Sequence, residues 1–161
     1  MTQAVTTASD GTFVLTGSFA CGTATEVYLV ATGGKAGQSV ANANLTLMTA
    51  LGPCSSITTS TYVYVNEVTT VATVTALAPY MNPASTTPAN TVASGSTDAA
   101  ALGSAFAFAA QLANDATGTS PGTSIPANMS VPSAQLNSLA DILSPCVNST
   151  GGAAGDGSAC G

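Results

Sequence analysis

The stretch SVANANLTLMTALGP, residues 39–53, is where the hydrophobic pattern of this chain changes period. Val40, Ala43, Leu47, Met48 and Leu51 recur at helical spacing and Gly52-Pro53 is a strong stop, so the pattern predicts a helix over this stretch. Upstream of it the chain reads as strand. Downstream it reads mostly as helix.

Residues 10–33 predict a β-hairpin. Asp10-Gly11 supplies a turn, Gly11–Gly17 places Phe13 and Leu15 on one face, and Glu26–Ala31 is β-branched and aromatic, with Gly22 and Thr23 in the connection. Thr61–Val65 alternates with Val63 and Val65 on one side and predicts a third strand. Asn66–Ala78 has the Val and Thr content of a strand, yet Val68, Val71, Ala72 and Thr75 share a helical face. Asn66 is a good N-cap and Glu67 suits a first turn, so a helix is predicted there. Residues 82–97 read as a Pro/Ser/Thr linker, after which Asp98 caps a helix carrying Leu102, Ala105, Phe106, Ala109, Leu112 and Ala113. A second linker spans 117–132. Leu136, Leu139, Ala140, Leu143 and Val147 then form a last amphipathic stripe, which Pro145 bends or ends near Cys146. The expectation is an α+β fold with an N-terminal β-hairpin or partial β-sandwich, about four helices and two disulfides. A β-strand portion covers 1–34 and a helical portion 35–161.

The chain of 161 residues has one Lys, no Arg, no His, no Trp and seven carboxylates, with charged residues at 5 %. An ordinary soluble domain carries roughly 25 %. Its surface must therefore be Thr, Ser, Asn, Gln and Gly, a composition common on secreted proteins. A net charge of −6 speaks against nucleic-acid partners, which require clustered Lys and Arg. The N-terminus has neither a basic n-region nor an apolar h-region, and no apolar run is long enough to span a bilayer.

Cys21, Cys54, Cys146 and Cys160 permit three pairings. A zinc site would need all four thiolates, normally as close pairs, and no CxxC occurs. Two disulfides in an oxidising compartment are the better reading. The favoured pairs are Cys21 with Cys54 and Cys146 with Cys160, each contributing roughly 3 to 4 kcal/mol in the chain-entropy model.

The succession DGTFVLTGSFAC at 10–21, VYLVATGG at 27–34, LMTALGPC at 47–54, VNEVTTVATVTALAPYM at 65–81 and LADILSPCVNSTGG at 139–152 resembles a module of large secreted acidobacterial proteins. In that family the module begins like the closing strands of a carboxypeptidase-regulatory-like, transthyretin-type β-sandwich. The resemblance covers nearly the whole chain and implies an architecture, with other domains of the same polypeptide as neighbours. It implies no activity. Met1 would fall late in such a sandwich, which leads to the expectation that the chain is a fragment of a longer reading frame.

The side chains available for chemistry are few. A Ser or Cys hydrolase needs a general base, normally His, and a Ser-Lys dyad would have to recruit Lys35 from the GGKAG turn. Glu26, Glu67, Asp98, Asp115 and Asp141 occur singly at strands and helix ends, where capping and solvation account for them. An isopeptide bond joining Lys35 to an Asn, with Glu67 as proton shuttle, is the sharpest alternative for Glu67. Gly155–Ser158 has one carboxylate, too few for calcium, and reads as a turn. Sequons stand at Asn44, Asn128 and Asn148.

These readings lead to the expectation of a non-catalytic module of a secreted or cell-surface bacterial protein, structural or adhesive. It would have no catalytic, cofactor or metal residues, and its partners would be other domains, a surface glycan or a protein. The alternative is a carbohydrate-binding module with Tyr62, Tyr64 or Tyr80 as stacking platforms.

Overall fold

The computed structural model describes residues 4–17, 20–22, 25–86, 89–92, 99–153 and 155–160. Strands β1 (Glu26–Thr32) and β2 (Thr46–Pro53) form one antiparallel pair, and β3 (Met81–Thr86) and β4 (Ala89–Val92) form another. Among the described residues three α-helices accompany them, α1 (Glu67–Leu77), α2 (Ala99–Leu112) and α3 (Ser133–Val147). The fold is thus α+β with two disulfides, Cys21–Cys54 and Cys146–Cys160, and with one helix fewer than expected.

The missing helix is the stretch at 39–53. It forms β2 instead, with Leu47, Met48, Thr49 and Ala50 buried in succession. A strand covered on both faces reads as a near-continuous apolar run, which periodicity alone cannot separate from a buried helix. Gly52, at φ +83°, is not a helix stop. Val27 pairs with Gly52 and Tyr28 with Ala50, so Leu51 is the extra residue of a bulge that bends the end of the strand.

β1 therefore pairs with β2 and not with Gly11–Gly17. That upstream segment lies in no strand, and neither does Thr61–Val65. The alternation at 61–65 is nonetheless real, since Val63 and Val65 are half-buried while Tyr62 and Tyr64 are exposed. The described part of the expected linker at 82–97 contains β3 and β4, with Met81 opposite Val92. Asp98, the expected cap of α2, lies outside the described residues.

α1 forms where its cap was expected; it buries Ala72 of the expected stripe, with Val68 and Val71 packed beside it, and adds a row of threonines. Asn66 Oδ1 accepts from Thr69 N at 2.9 Å and Thr69 Oγ1 accepts from Asn66 N at 3.0 Å, a reciprocal capping box. Seven of the 11 residues of α1 are Val or Thr, which costs up to roughly 0.7 kcal/mol apiece in helix propensity. Tertiary interactions must offset that cost. They come from Thr69, Thr70 and Thr73, all buried, while Thr75 of the expected stripe is exposed.

These three threonines run along the free edge of β2. Met48 N donates to Thr70 Oγ1 and Ala50 N to Thr73 Oγ1, both at 2.9 Å. Thr69 Oγ1 lies 3.1 Å from Met48 O and donates to it. Thr70 Oγ1 donates at 2.6 Å to Asn66 O in its own helix. A hydroxyl both accepts and donates, so a row of them can stand in for a third strand, which Val at the same positions could not do.

The core surrounds this junction. Ala50, Ala76, Leu77, Phe106 and Ala109 pack with Tyr28 and Leu102, and Ala72, Leu112, Ala113 and Leu136 join α1 to α2 and α3. Leu45, Leu47 and Val147 pack with Leu143 under the end of α3. Side-chain amides then tie the loop before β2 to the C-terminal tail. Asn42, 1 % exposed, donates from Nδ2 to Cys146 O at 2.9 Å, Gln38 Nε2 to Asn148 O at 3.0 Å and Asn44 Nδ2 to Gly152 O at 2.8 Å.

Thr70→Val and Thr73→Val each leave a buried β2 amide without an acceptor while preserving volume. Each is expected to lower unfolding stability in a urea titration by about 1–3 kcal/mol. Thr75→Val, on the exposed side of α1, is expected to change it by less than about 0.5 kcal/mol.

Candidate functional site

Exposed aromatic side chains are scarce on a chain with four Tyr, four Phe and no Trp, which makes their position informative. Tyr62 is 65 % and Tyr64 42 % exposed, and their rings meet edge to face with centroids 5.5 Å apart at 79°. The hydrogen bond with Tyr64 is the main cause that holds the Tyr62 phenol above its ordinary range.

The pair is fixed from below. Tyr64 N donates to Asp115 O at 2.7 Å, and Asn66, the cap of α1, donates from Nδ2 to Gly118 O at 2.9 Å. The turn at 114–119 is itself closed by Asn114 pairing with Thr119 and by Gly118 N donating to Asn114 O at 2.8 Å. Gly118 has φ +69°, and a Cβ there would lie 2.5 Å from Asn66 Nδ2 and 3.0 Å from Tyr64 Cβ. Only glycine satisfies both the backbone and the close approach.

The turns next to the rings carry hydroxyls, with the Asp115 carboxylate in one of them. Thr117 Oγ1 and Thr119 Oγ1 are 2.8 Å apart at the exposed turn. Just before the pair in the chain, Thr58, Ser60 and Thr61 form a hydroxyl cluster, with Thr58 N donating to Thr61 Oγ1 at 2.8 Å. Such a surface offers aromatic faces for stacking and hydrogen-bonding groups of both senses.

The carboxylates are dispersed over different elements. Glu26 opens β1, Glu67 the first turn of α1, Asp115 belongs to the turn at 114–119, and Asp141 is exposed on α3. Lys35 is exposed on the Gly33–Gly37 turn. Among the described residues no group of three or more His, Cys, Asp or Glu is placed to hold a metal ion. Asp156 sits in the expected turn, accepting from Ala153 N and Ser158 N at 2.7 Å each. Tyr80 is half-buried in a 3-10 turn, away from the candidate pair in sequence and element.

A second concavity was not legible in the sequence. Phe108, Leu112, Met129, Val131, Leu136 and Leu139 line a groove of about 310 Å³ between α2, α3 and the segment before α3. Met129 and Leu139 remain about half exposed there. The only sequence signal was apolar residues, Ile125 and Met129, inside a Pro-rich linker.

Burial raises the Glu26 carboxyl above its ordinary value, and its Oε2 is buried with no hydrogen-bond partner. Stability linked to Glu26 is therefore full below 4.5, its ordinary pKa, and is lost as pH rises through the raised folded value. Hydrogen bonds from Thr12 lower Asp10, and bonds with Ser158 and Ala153 lower Asp156, so these two act oppositely, losing stability as pH falls. Glu26→Gln is expected to be more stable than the parent near neutrality, with the gap closing as pH falls towards 4.5. Urea titrations of both proteins across that range measure the gap.

Comparison of the chain with family models, with curated proteins and with solved structures finds no match in any of the three.

Proposed function

We propose that this chain is a structural or adhesive module of a secreted or cell-surface bacterial protein and works by binding rather than by catalysis. The observation that carries the reading is the Tyr62–Tyr64 pair, exposed beside hydroxyl-bearing turns yet anchored to the cap of α1. Two disulfides support an oxidising compartment. Among the described residues no helix is long and apolar enough to cross a membrane. Neighbouring domains of the same polypeptide, as the sequence resemblance implies, would be its structural partners. Turnover in a broad hydrolase screen that Glu26→Gln or Asp115→Asn abolishes would contradict this reading.

A carbohydrate-binding module is the second reading, favoured by the same pair. Sugar rings present apolar C–H faces with hydroxyl rims, and they match aromatic rings set among Thr and Ser. Rigid aromatic platforms bind at low entropic cost. Binding to cellulose, chitin or xylan, or to a glycan array, is expected to fall at least about tenfold in Tyr62→Ala and Tyr64→Ala, a loss of about 1.4 kcal/mol. Unchanged binding in both variants, or none in the parent, would remove carbohydrate as the ligand.

A further inference from the structure

Exposed large apolar side chains gather at the groove beside α3. Phe108, Met129 and Leu139 line it and stay partly exposed. Ile142, 72 % exposed, lies three residues beyond Leu139 and continues the same face of α3. Apolar surface grouped in this way marks an interaction site, whereas single exposed side chains do not. The wall of the groove is fixed in place. Gly122 N donates to Gln111 O at 2.9 Å, and a Cβ on Gly122 would collide with Ala110 O. Ser120 Oγ donates to Leu112 O at 2.7 Å, and Met129 N to Pro126 O at 2.9 Å.

α3 carries both a projection and a place to receive it. Positions four apart form a ridge along a helix, and Ala134, Ser138 and Ile142 make one that runs small, small, large. Ala134, Gln135, Ser138 and Leu139 line a shallow depression that shares Gln135 and Leu139 with the groove. Ser138 Oγ already donates to Ala134 O at 2.9 Å, so covering it strands no donor. Turned end for end about Ser138, the ridge is its own complement, because Ile142 of one copy falls opposite Ala134 of another. The same reversal sets Gln135 opposite Asp141, both exposed, and an amide can donate to a carboxylate. Asp141 is the single charge on α3, and no charged residue lines the groove or the depression.

We propose that a second copy of this chain covers this face. The two α3 helices pack antiparallel about a two-fold axis at Ser138, with Ile142 of each seated over Ala134 and Ser138 of the other. Both copies use the same patch, so the contact closes as a dimer. Leu139 and Met129, at the rim of the groove, flank the crossing. One helix crossing makes a small interface, so association is weak and rises with concentration.

Sedimentation velocity of the full chain from micromolar to millimolar concentration measures the association. The expected result is a monomer–dimer equilibrium that Ile142→Asp and Ala134→Leu each weaken by at least about tenfold. The first removes the projection and the second fills the depression. Both positions are exposed, so the urea midpoints are expected to stay at the parent value. Ser138→Cys, on the axis, is expected to cross-link two copies on air oxidation, read on a non-reducing gel, and Ser60→Cys, in the turn before Tyr62, is not. A monomer at every concentration would overturn the proposal. So would a dimer that keeps its strength in Ile142→Asp and Ala134→Leu, or cross-linking no faster in Ser138→Cys than in Ser60→Cys.

Discussion

The structure depends on how one strand edge is closed. β2 is buried on both faces, so its outward N–H and C=O groups cannot turn to water, and a buried amide without a partner costs about 1–3 kcal/mol. The ordinary remedy is another strand. Here α1 lies along the edge and supplies Thr70 and Thr73 as acceptors and Thr69 as a donor. This explains a helix built from residues that favour strands, because the side chain that weakens the helix is the one that satisfies the sheet. α1 in turn packs on α2 and α3, so the placement of all three helices follows from this junction.

Much of the helical half was legible in the sequence because its signals are local. Asn66 caps α1 through its own side chain, and Phe106, Ala109 and Leu112 mark the buried face of α2 within four turns of chain. Leu136, Ala140 and Val147 do the same for α3, although Leu139 of the same stripe is exposed and borders the groove. The β half was not legible, for a physical reason. Leu47 to Ala50 are buried by elements distant in sequence, and a segment buried on every side loses the alternation that identifies a strand. β1 takes its partner from Thr46–Pro53, and Gly11–Gly17, however strand-like its composition, lies outside that ladder.

The candidate site divides in the same way. The Tyr62–Tyr64 alternation could be read directly, but its meaning came from Asn66 and Gly118, which bring a turn some 52 residues away beneath the rings. No periodicity reports a contact of that range. The cysteines carried a clearer message, since four of them without His or a CxxC read as two disulfides, and the structure adds what these secure. Cys146 is also the residue whose carbonyl receives Asn42, so the bridge to Cys160 and the buried amide hold the tail against the loop before β2 together.

Native-state hydrogen exchange at Met48 and Ala50 tests the central claim most directly. If threonine hydroxyls close the edge of β2, these two amides exchange as slowly as those of Leu47 and Thr49 in the β1–β2 ladder and open only with global unfolding. Rapid exchange at Met48 and Ala50, beside slow exchange at Leu47 and Thr49, would show an ordinary open edge and contradict the account.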